Sequence, residues 1–199
     1  MARVKNKRDQ ILSSASEIFA INGYHDASIN EIADNANVGK GTIYEYFDSK
    51  MTLYIEVLKY NIERYLTRIR NVVISESTFN SMLESYIGCH TEILKENFKY
   101  AGIMMNNSAD LIFNSKNSQE TLKILMDTRV EVVQIILDIL TVGHNEGQLS
   151  GSNLDYYADL FFEMLNRSAL RSLMMQHSEE QQLIEKDLLV KMLINGIGQ

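Results

Sequence analysis

Apolar residues recur at steps of three and four along most of the chain, which predicts amphipathic α-helices. In the first such segment Ile11, Leu12, Ala15, Ile18 and Phe19 share one face. No segment alternates apolar and polar residues with a period of two for long enough to predict a β-strand. The chain is therefore predicted to be all-α, with about nine helices.

Breaks in this pattern divide the predicted helices. The first begins near Lys7 and ends at Gly23, and Asp48 or Ser49 is expected to cap the fourth. The run Ser28-Ile-Asn-Glu31 predicts a capping box, in which the Ser28 hydroxyl and the Glu31 carboxylate accept each other's backbone N–H. Four helices are predicted at about 7–23, 28–36, 39–47 and 49–70, and five more at about 78–97, 101–113, 118–144, 152–176 and 179–194.

Composition supports a helical protein and narrows its setting. The 199 residues include no proline, which favours long uninterrupted helices. Cys89 is the single cysteine, so no internal disulfide or cysteine-rich zinc site is expected. Such low cysteine usage fits a reducing cytoplasm. The basic N-terminus lacks the apolar stretch of a signal peptide, and no run is apolar enough to span a membrane. A cytoplasmic protein with no membrane partner is expected.

The charge distribution restricts the kind of nucleic-acid binding that is possible. The formal net charge is −7, of which −1 falls within residues 1–50 and −6 in the rest. This charge argues against a protein that coats nucleic acid indiscriminately. It is compatible with a small basic binding site.

The first 47 residues have the layout of a helix-turn-helix unit, with the motif at 28–47. On the third helix Ile43 and Phe47 share one side, and Gly41 and Glu45 lie roughly opposite. Lys40 and Tyr44 lie on one flank of this helix, and Thr42 and Tyr46 lie on the other. Such a small, polar and aromatic surface fits the DNA major groove, about 12 Å wide, which admits one helix.

The residue types on this surface suit contacts to bases and phosphates. Gly41 permits close backbone approach to base edges, and hydroxyl and ammonium groups can reach phosphates. Because Ile43 and Phe47 already occupy the core direction, we expect Tyr44 and Tyr46 to be exposed rather than buried. Two alternatives stay open for Glu45: it accepts from a cytosine amino group, or it faces solvent without a DNA contact.

Several spaced motifs resemble one family. These are Phe19-Ala-Ile-Asn-Gly-Tyr24, Ser28-Ile-Asn-Glu-Ile-Ala33, Val38-Gly-Lys-Gly-Thr-Ile-Tyr-Glu-Tyr-Phe47, then Ser49-Lys50 and Leu53. Over about residues 7–58 the chain closely resembles the DNA-binding domain of TetR-family transcriptional regulators. It departs at Met51-Thr52, where the family often carries acidic residues.

The resemblance implies specific roles and a domain division. Phosphate contacts are implied for Ser28, Thr42, Tyr44, Tyr46 and Lys50, and base contacts for Lys40, Gly41 and Glu45. It also implies a DNA-binding domain at 5–65 and a helical ligand-binding and dimerisation domain at 66–199. The basic residues Arg3, Lys5, Lys7 and Arg8 are either a solvated tail or an arm that contacts DNA.

The last two predicted helices are candidates for a homodimer interface. The segment 156–175 is apolar nearly all round, and the final helix carries Leu183, Ile184, Leu188, Val190, Met192 and Leu193. A helix that is apolar beyond one stripe needs cover on two sides. Pairing with a second copy would provide it, as the TetR resemblance also implies, whereas the alternative is an ordinary monomer core.

Ten methionines suit a pocket for an apolar or amphipathic small-molecule effector, although methionine at helical spacing is also ordinary core. The candidate ligand-binding residues are Tyr86, His90, Met104, Met105, Met126, Arg129, Phe161 and Met164. Cys89 and His90 do not predict a metal site, since adjacent helical residues point about 100° apart and zinc needs more ligands. No metal and no cofactor are expected.

These observations predict a homodimeric repressor that occupies a palindromic operator and is released by its effector. A second hypothesis is an activator, or a DNA-binding regulator controlled by a protein partner. A third is an all-helical enzyme or a protein-interaction module. Against it stand the missing Gly-rich phosphate loop, the missing metal-ligand spacing and the missing nucleophile constellation.

Overall fold

The structure is a computed structural model that describes residues 6–114 and 118–197, with side chains described for 6–96 and 119–196. These residues form eight α-helices and no strand, so the all-α prediction is confirmed. The helices are α1 Lys7–Asp26, α2 Ile29–Asn35, α3 Lys40–Tyr46, α4 Lys50–Ile74, α5 Phe79–Asn114, α6 Ser118–Asn145, α7 Leu154–Met174 and α8 Glu179–Ile197. No described helix is both long and apolar enough to cross a membrane.

The predicted helix count differs from the observed one at α5. The segments expected at 78–97 and 101–113 form one continuous helix of 36 residues, so the break predicted at Gly102 is wrong. A glycine inside a helix costs only about 1 kcal/mol relative to alanine. Without a proline nearby, that cost does not end a helix of this length.

Gly23 interrupts α1 as predicted, but helical structure resumes for one more short turn. Its backbone has φ 73° and ψ 173°, a conformation that residues with a Cβ rarely adopt. The N–H of Ala27 then donates to the Gly23 carbonyl at 3.2 Å. The chain therefore leaves the axis of α1 at Gly23 and turns towards the start of α2.

The chain divides into two compact units. The first comprises Met1–Arg64 with Asn97–Leu125, and the second Tyr65–Glu96 with Met126–Gln199. One boundary thus falls between Arg64 and Tyr65. The assignment of 5–65 to DNA binding and of 66–199 to ligand binding and dimerisation stays a prediction.

A single apolar core joins α1, α2, α3 and the start of α4 in the first unit. The Ser14 hydroxyl donates to the Ile32 carbonyl at 3.0 Å and links α1 to α2. The Ser49 hydroxyl accepts the Thr52 N–H at 3.0 Å, which caps α4. The buried members are Ile11, Leu12, Ala15, Phe19, Ala27, Ile29, Ile32, Ala33, Ala36, Ile43, Phe47, Leu53 and Val57. This core holds α3 from one side only.

In the second unit, the start of α5 packs closely on the end of α6. A Cβ built on Gly143 would lie 2.7 Å from Cδ2 and 2.8 Å from Cγ of Phe79, and 3.0 Å from Cδ1 of Leu149. Phe79 and Leu149 are buried. Only glycine therefore fits at this position without a shift of its neighbours.

Gly143→Ala is expected to lower the free energy of unfolding by about 1–2 kcal/mol, because overpacking exceeds the gain in helix propensity. Gly88→Ala is the matched control, since nothing lies within 4 Å of a Cβ there. It should raise stability by up to about 1 kcal/mol. Urea denaturation measures both, and an equal gain in the two variants would contradict the close approach of Phe79.

Candidate functional site

The outward surface of α3 is the first candidate site. Ile43 and Phe47 are 1% and 2% exposed and face the core, whereas Tyr44 and Tyr46 are 46% and 42% exposed. The predicted exposure of Tyr44 and Tyr46 is therefore confirmed. The structure places polar and aromatic groups on a short helix whose opposite side is fixed by packing.

Small and charged residues complete this surface. Lys40, Gly41 and Glu45 are exposed, and Thr42 is half-buried. A Cβ built on Gly41 meets no atom within 4 Å, so its glycine is not required by packing within the chain. Open space at Gly41 leaves the backbone of α3 accessible to a partner.

The predicted capping box at the start of α2 is confirmed. The Ser28 hydroxyl accepts the Asn30 N–H at 3.1 Å, and Glu31 Oε2 accepts the Ser28 N–H at 3.0 Å. Asn22 also donates to Glu31 Oε2, at 3.4 Å. Ser28 is half-buried, and its hydroxyl already serves the helix cap.

Lys50 begins α4 and has two partners that the sequence did not reveal. Its Nζ donates to the His25 carbonyl at 2.9 Å and lies 4.8 Å from the centroid of the Tyr24 ring. Burial lowers the pKa of Lys50, and the Asp26 carboxylate opposes this shift. The Gly23-Tyr24 pair near the end of α1 was the available signal, but it carries no information on which lysine contacts the ring.

Arg8 makes two further contacts that the sequence did not predict. Its guanidinium pairs with the Glu56 carboxylate and lies 5.6 Å from the centroid of the Phe47 ring. Arg8 therefore braces the core behind α3, while residues 1–5 of the predicted basic arm lie outside the described residues.

A buried polar cluster in the second unit is the second candidate site. His90 and Tyr86 lie on α5, are almost fully buried, and stack with ring centroids 5.9 Å apart. The Tyr65 hydroxyl lies 2.8 Å from His90 Nδ1. Nε2 of His90 and the hydroxyl of Tyr86 lack a well-formed hydrogen bond among the described residues. These groups could bind a polar atom of a ligand.

Burial keeps this cluster uncharged near neutral pH. It lowers the pKa of His90 to about 4, and the neighbouring Asn166 side chain offsets part of the shift. Burial also raises the pKa of Tyr65 and of Tyr86. The cluster therefore presents neutral hydrogen-bonding groups rather than a charge.

His90 predicts a pH dependence of stability. Between pH 6.5 and about 4 the unfolded chain binds a proton that the buried imidazole does not, so stability is lost as the pH falls through this window. The loss attributable to His90 should reach about 3 kcal/mol. Urea denaturation of the wild type and His90→Gln at several pH values measures the difference, and parallel curves would contradict it.

The other predicted ligand-binding residues are not all brought to this cluster. Phe161 is buried and Met164 half-buried on α7, whereas Met126 is 65% exposed on α6. Arg129 is exposed and pairs with Asp159 at 2.7 Å and Glu163 at 2.8 Å. The side chains of Met104 and Met105 lie outside the described residues.

Metal binding has no candidate in the part of the chain that the structure describes. No three His, Cys, Asp or Glu side chains there come together in a group that could hold an ion. Cys89 is buried, and burial raises the pKa of its thiol.

The fold and the α3 surface define a helix-turn-helix DNA-binding protein. Residues 11–57 match the family model described as bacterial regulatory proteins, tetR family. Residues 11–57 therefore form a DNA-binding domain of the TetR family of transcriptional regulators.

Individual relatives agree with this family. The transcriptional activator FasR of Mycolicibacterium smegmatis is 40% identical over 67 residues, 34% of this chain and 31% of FasR. The fatty acid metabolism regulator protein of Bacillus subtilis is 32% identical over 94 residues, 47% of this chain and 48% of that protein. The chain thus matches less than half the length of either relative.

A solved structure covers nearly the whole chain. It is the transcriptional regulator FadR from Bacillus subtilis in complex with stearoyl-CoA, with a TM-score of 0.73 and 24% identity over 94% of this chain and 98% of that one. This likeness concerns the fold. The enzyme alternative has no support, because these relatives are named as transcription regulators.

Proposed function

We propose that the chain is a homodimeric repressor that binds a palindromic operator and is released by a long-chain acyl-CoA. The observation that carries the DNA-binding part is the surface of α3. Ile43 and the C-cap residue Phe47 are buried, while Tyr44, Tyr46 and Gly41 stay accessible. In this proposal Lys40, Gly41 and Glu45 approach bases, and Ser28, Thr42, Tyr44, Tyr46 and Lys50 contact phosphates.

The homodimer is supported by an apolar surface that the single chain leaves open. Leu183, Ile184, Leu188 and Met192 of α8 are between 53% and 66% exposed. Monomeric proteins rarely expose contiguous apolar patches of this kind unless the patch binds a partner. A symmetric pair would cover it and place the two copies of α3, the recognition helices of this proposal, on half-sites about 34 to 36 Å apart.

Two observations support the proposed effector class. One relative is named a fatty acid metabolism regulator, and FadR was solved with stearoyl-CoA. The buried cluster of Tyr65, Tyr86 and His90 offers neutral hydrogen-bonding groups, which suit an uncharged oxygen such as a carbonyl better than a carboxylate.

In this proposal, release from the operator results from the linkage between effector binding and operator binding. An effector that favours the conformer with poorly spaced recognition helices weakens operator binding by as much as it discriminates between the conformers. Such coupling is typically about 1–3 kcal/mol, or about 5- to 150-fold in operator affinity.

Selection of bound DNA from random sequence, followed by fluorescence anisotropy on the selected duplex, tests the proposal. A palindromic site should emerge, and stearoyl-CoA should weaken binding about 5-fold or more. Stearate and free CoA are the controls for the two halves of the probe. Failure to select any sequence would contradict DNA-specific regulation, and unchanged affinity with stearoyl-CoA would contradict this effector class.

The direction of regulation is open to a second candidate. FasR is named an activator, so an activator, or a regulator controlled by a protein partner, is the alternative. In vitro transcription from a promoter that contains the selected site distinguishes them, since a repressor lowers transcript yield and an activator raises it.

A further inference from the structure

The ammonium of Lys50 is held at the corner between α1 and α2. Nζ donates to the His25 carbonyl at 2.9 Å and sits 4.8 Å from the Tyr24 ring centroid. A lysine ammonium has three donors, so the carbonyl leaves two of them available. The aromatic face attracts the charge without using a donor.

Tyr24 is itself fixed by other rings. It meets Tyr54 edge-on, with centroids 5.2 Å apart at an interplanar angle of 72°, and stacks with Phe19 at 6.1 Å. Phe19 and Tyr54 also meet edge-on, at 5.3 Å. The ring that Lys50 faces is therefore half-buried and packs against the core of the first unit, immediately after the turn at Gly23.

This arrangement restricts a side chain that is otherwise flexible. A lysine has a four-carbon stem and loses much rotamer freedom when it is fixed on a partner. Lys50 is already restrained, so less freedom is lost on binding, and a phosphate oxygen can take up its remaining donors. Preorganisation of this kind raises affinity without adding a contact.

We propose that Tyr24 is a positioning residue for DNA binding, which acts by holding the Lys50 ammonium in place for a backbone phosphate. Tyr24 makes no contact with DNA in this proposal. The inference rests on the proposed DNA-binding function and assigns a role to a residue outside the recognition helix.

A double-mutant cycle tests the proposal on the full-length chain and the selected operator duplex. The variants are Tyr24→Leu, Lys50→Ala and their combination, with anisotropy measured at several salt concentrations. Tyr24→Leu should weaken binding about two- to fivefold per DNA-binding domain when Lys50 is present. It should have no further effect in the Lys50→Ala background. Lys50→Ala should also reduce the salt slope by about 0.9 per lost phosphate contact.

Two controls separate positioning from folding. Tyr24→Phe keeps the ring and should restore most of the affinity that Tyr24→Leu loses. Tyr60→Leu removes the ring beneath Arg64, whose guanidinium carbon lies 5.5 Å from its centroid, and should leave the operator affinity unchanged. Thermal melts accompany every variant. If Tyr24→Leu is destabilised, Tyr24→Met takes its place, because a flexible thioether fills the gap more readily.

Three results would overturn the proposal while operator binding stands. Equal losses from Tyr24→Leu with and without Lys50 would show that the ring only supports the fold. No loss in either background would show that Lys50 needs no positioning. An unchanged affinity and salt slope for Lys50→Ala would contradict the proposed contact between Lys50 and a phosphate. A wild-type chain that selects no DNA sequence would overturn the proposed function and this inference together.

Discussion

Gly41→Leu is expected to weaken operator binding by at least about 30-fold, since each of two recognition helices would lose a base contact of about 1–3 kcal/mol. Nothing lies within 4 Å of a Cβ at Gly41, so the side chain has room in the free protein. In the complex the same side chain would hold the backbone of α3 away from the base edges. Fluorescence anisotropy on the selected operator measures the loss.

The stability of the same variant should change in the opposite direction. Replacing an exposed helical glycine raises helix propensity by about 0.8–1 kcal/mol per residue. Gly88→Leu is the matched control, because Gly88 is also exposed and unobstructed within α5. It should gain similar stability without losing operator affinity. Full operator affinity for Gly41→Leu would show that α3 does not approach bases at this point.

The double variant Ile184→Glu, Leu188→Lys is expected to convert a dimer into a monomer and to lower operator affinity about a thousandfold, towards non-specific binding. Both side chains are half-exposed on the same face of α8. A Glu placed four residues before a Lys preserves the helix and adds no net charge. Sedimentation velocity and anisotropy measure the two effects.

Val130→Lys provides the control for this surface, because Val130 is similarly exposed but lies on α6. It should leave the oligomeric state and operator affinity unchanged. A double variant that remains dimeric would place the interface elsewhere. A monomeric wild type would contradict the homodimer itself.

The helix-turn-helix was predictable because its determinants are local. The capping box of Ser28 and Glu31 depends on residues three apart, and the burial of Ile43 and Phe47 on residues four apart. Helical geometry alone then sends Tyr44 outward. The family resemblance depends on the same segment and therefore extends no further than the matched residues.

One prediction failed because a local signal was too weak, and the others stopped where the deciding contact is distant in sequence. The break expected at Gly102 was wrong, since a local glycine signal was weaker than the continuation of α5. Tyr65 was missed as the partner of His90, 25 residues away. The lysine held by Tyr24 and His25 could not be identified from spacing, because side-chain partners across a core have no fixed sequence offset.

The helical class, α3 and its exposed chemistry can be read from the amino-acid sequence, because helix periodicity and capping act within a few residues. Which charged and polar groups meet depends instead on how the helices pack. Packing of α1 against α4 gives Lys50 its carbonyl and aromatic partners, and packing in the second unit buries His90 beside two tyrosines. It also leaves Leu183, Ile184, Leu188 and Met192 uncovered on α8. Such outcomes depend on how distant segments fold together, which periodicity does not encode.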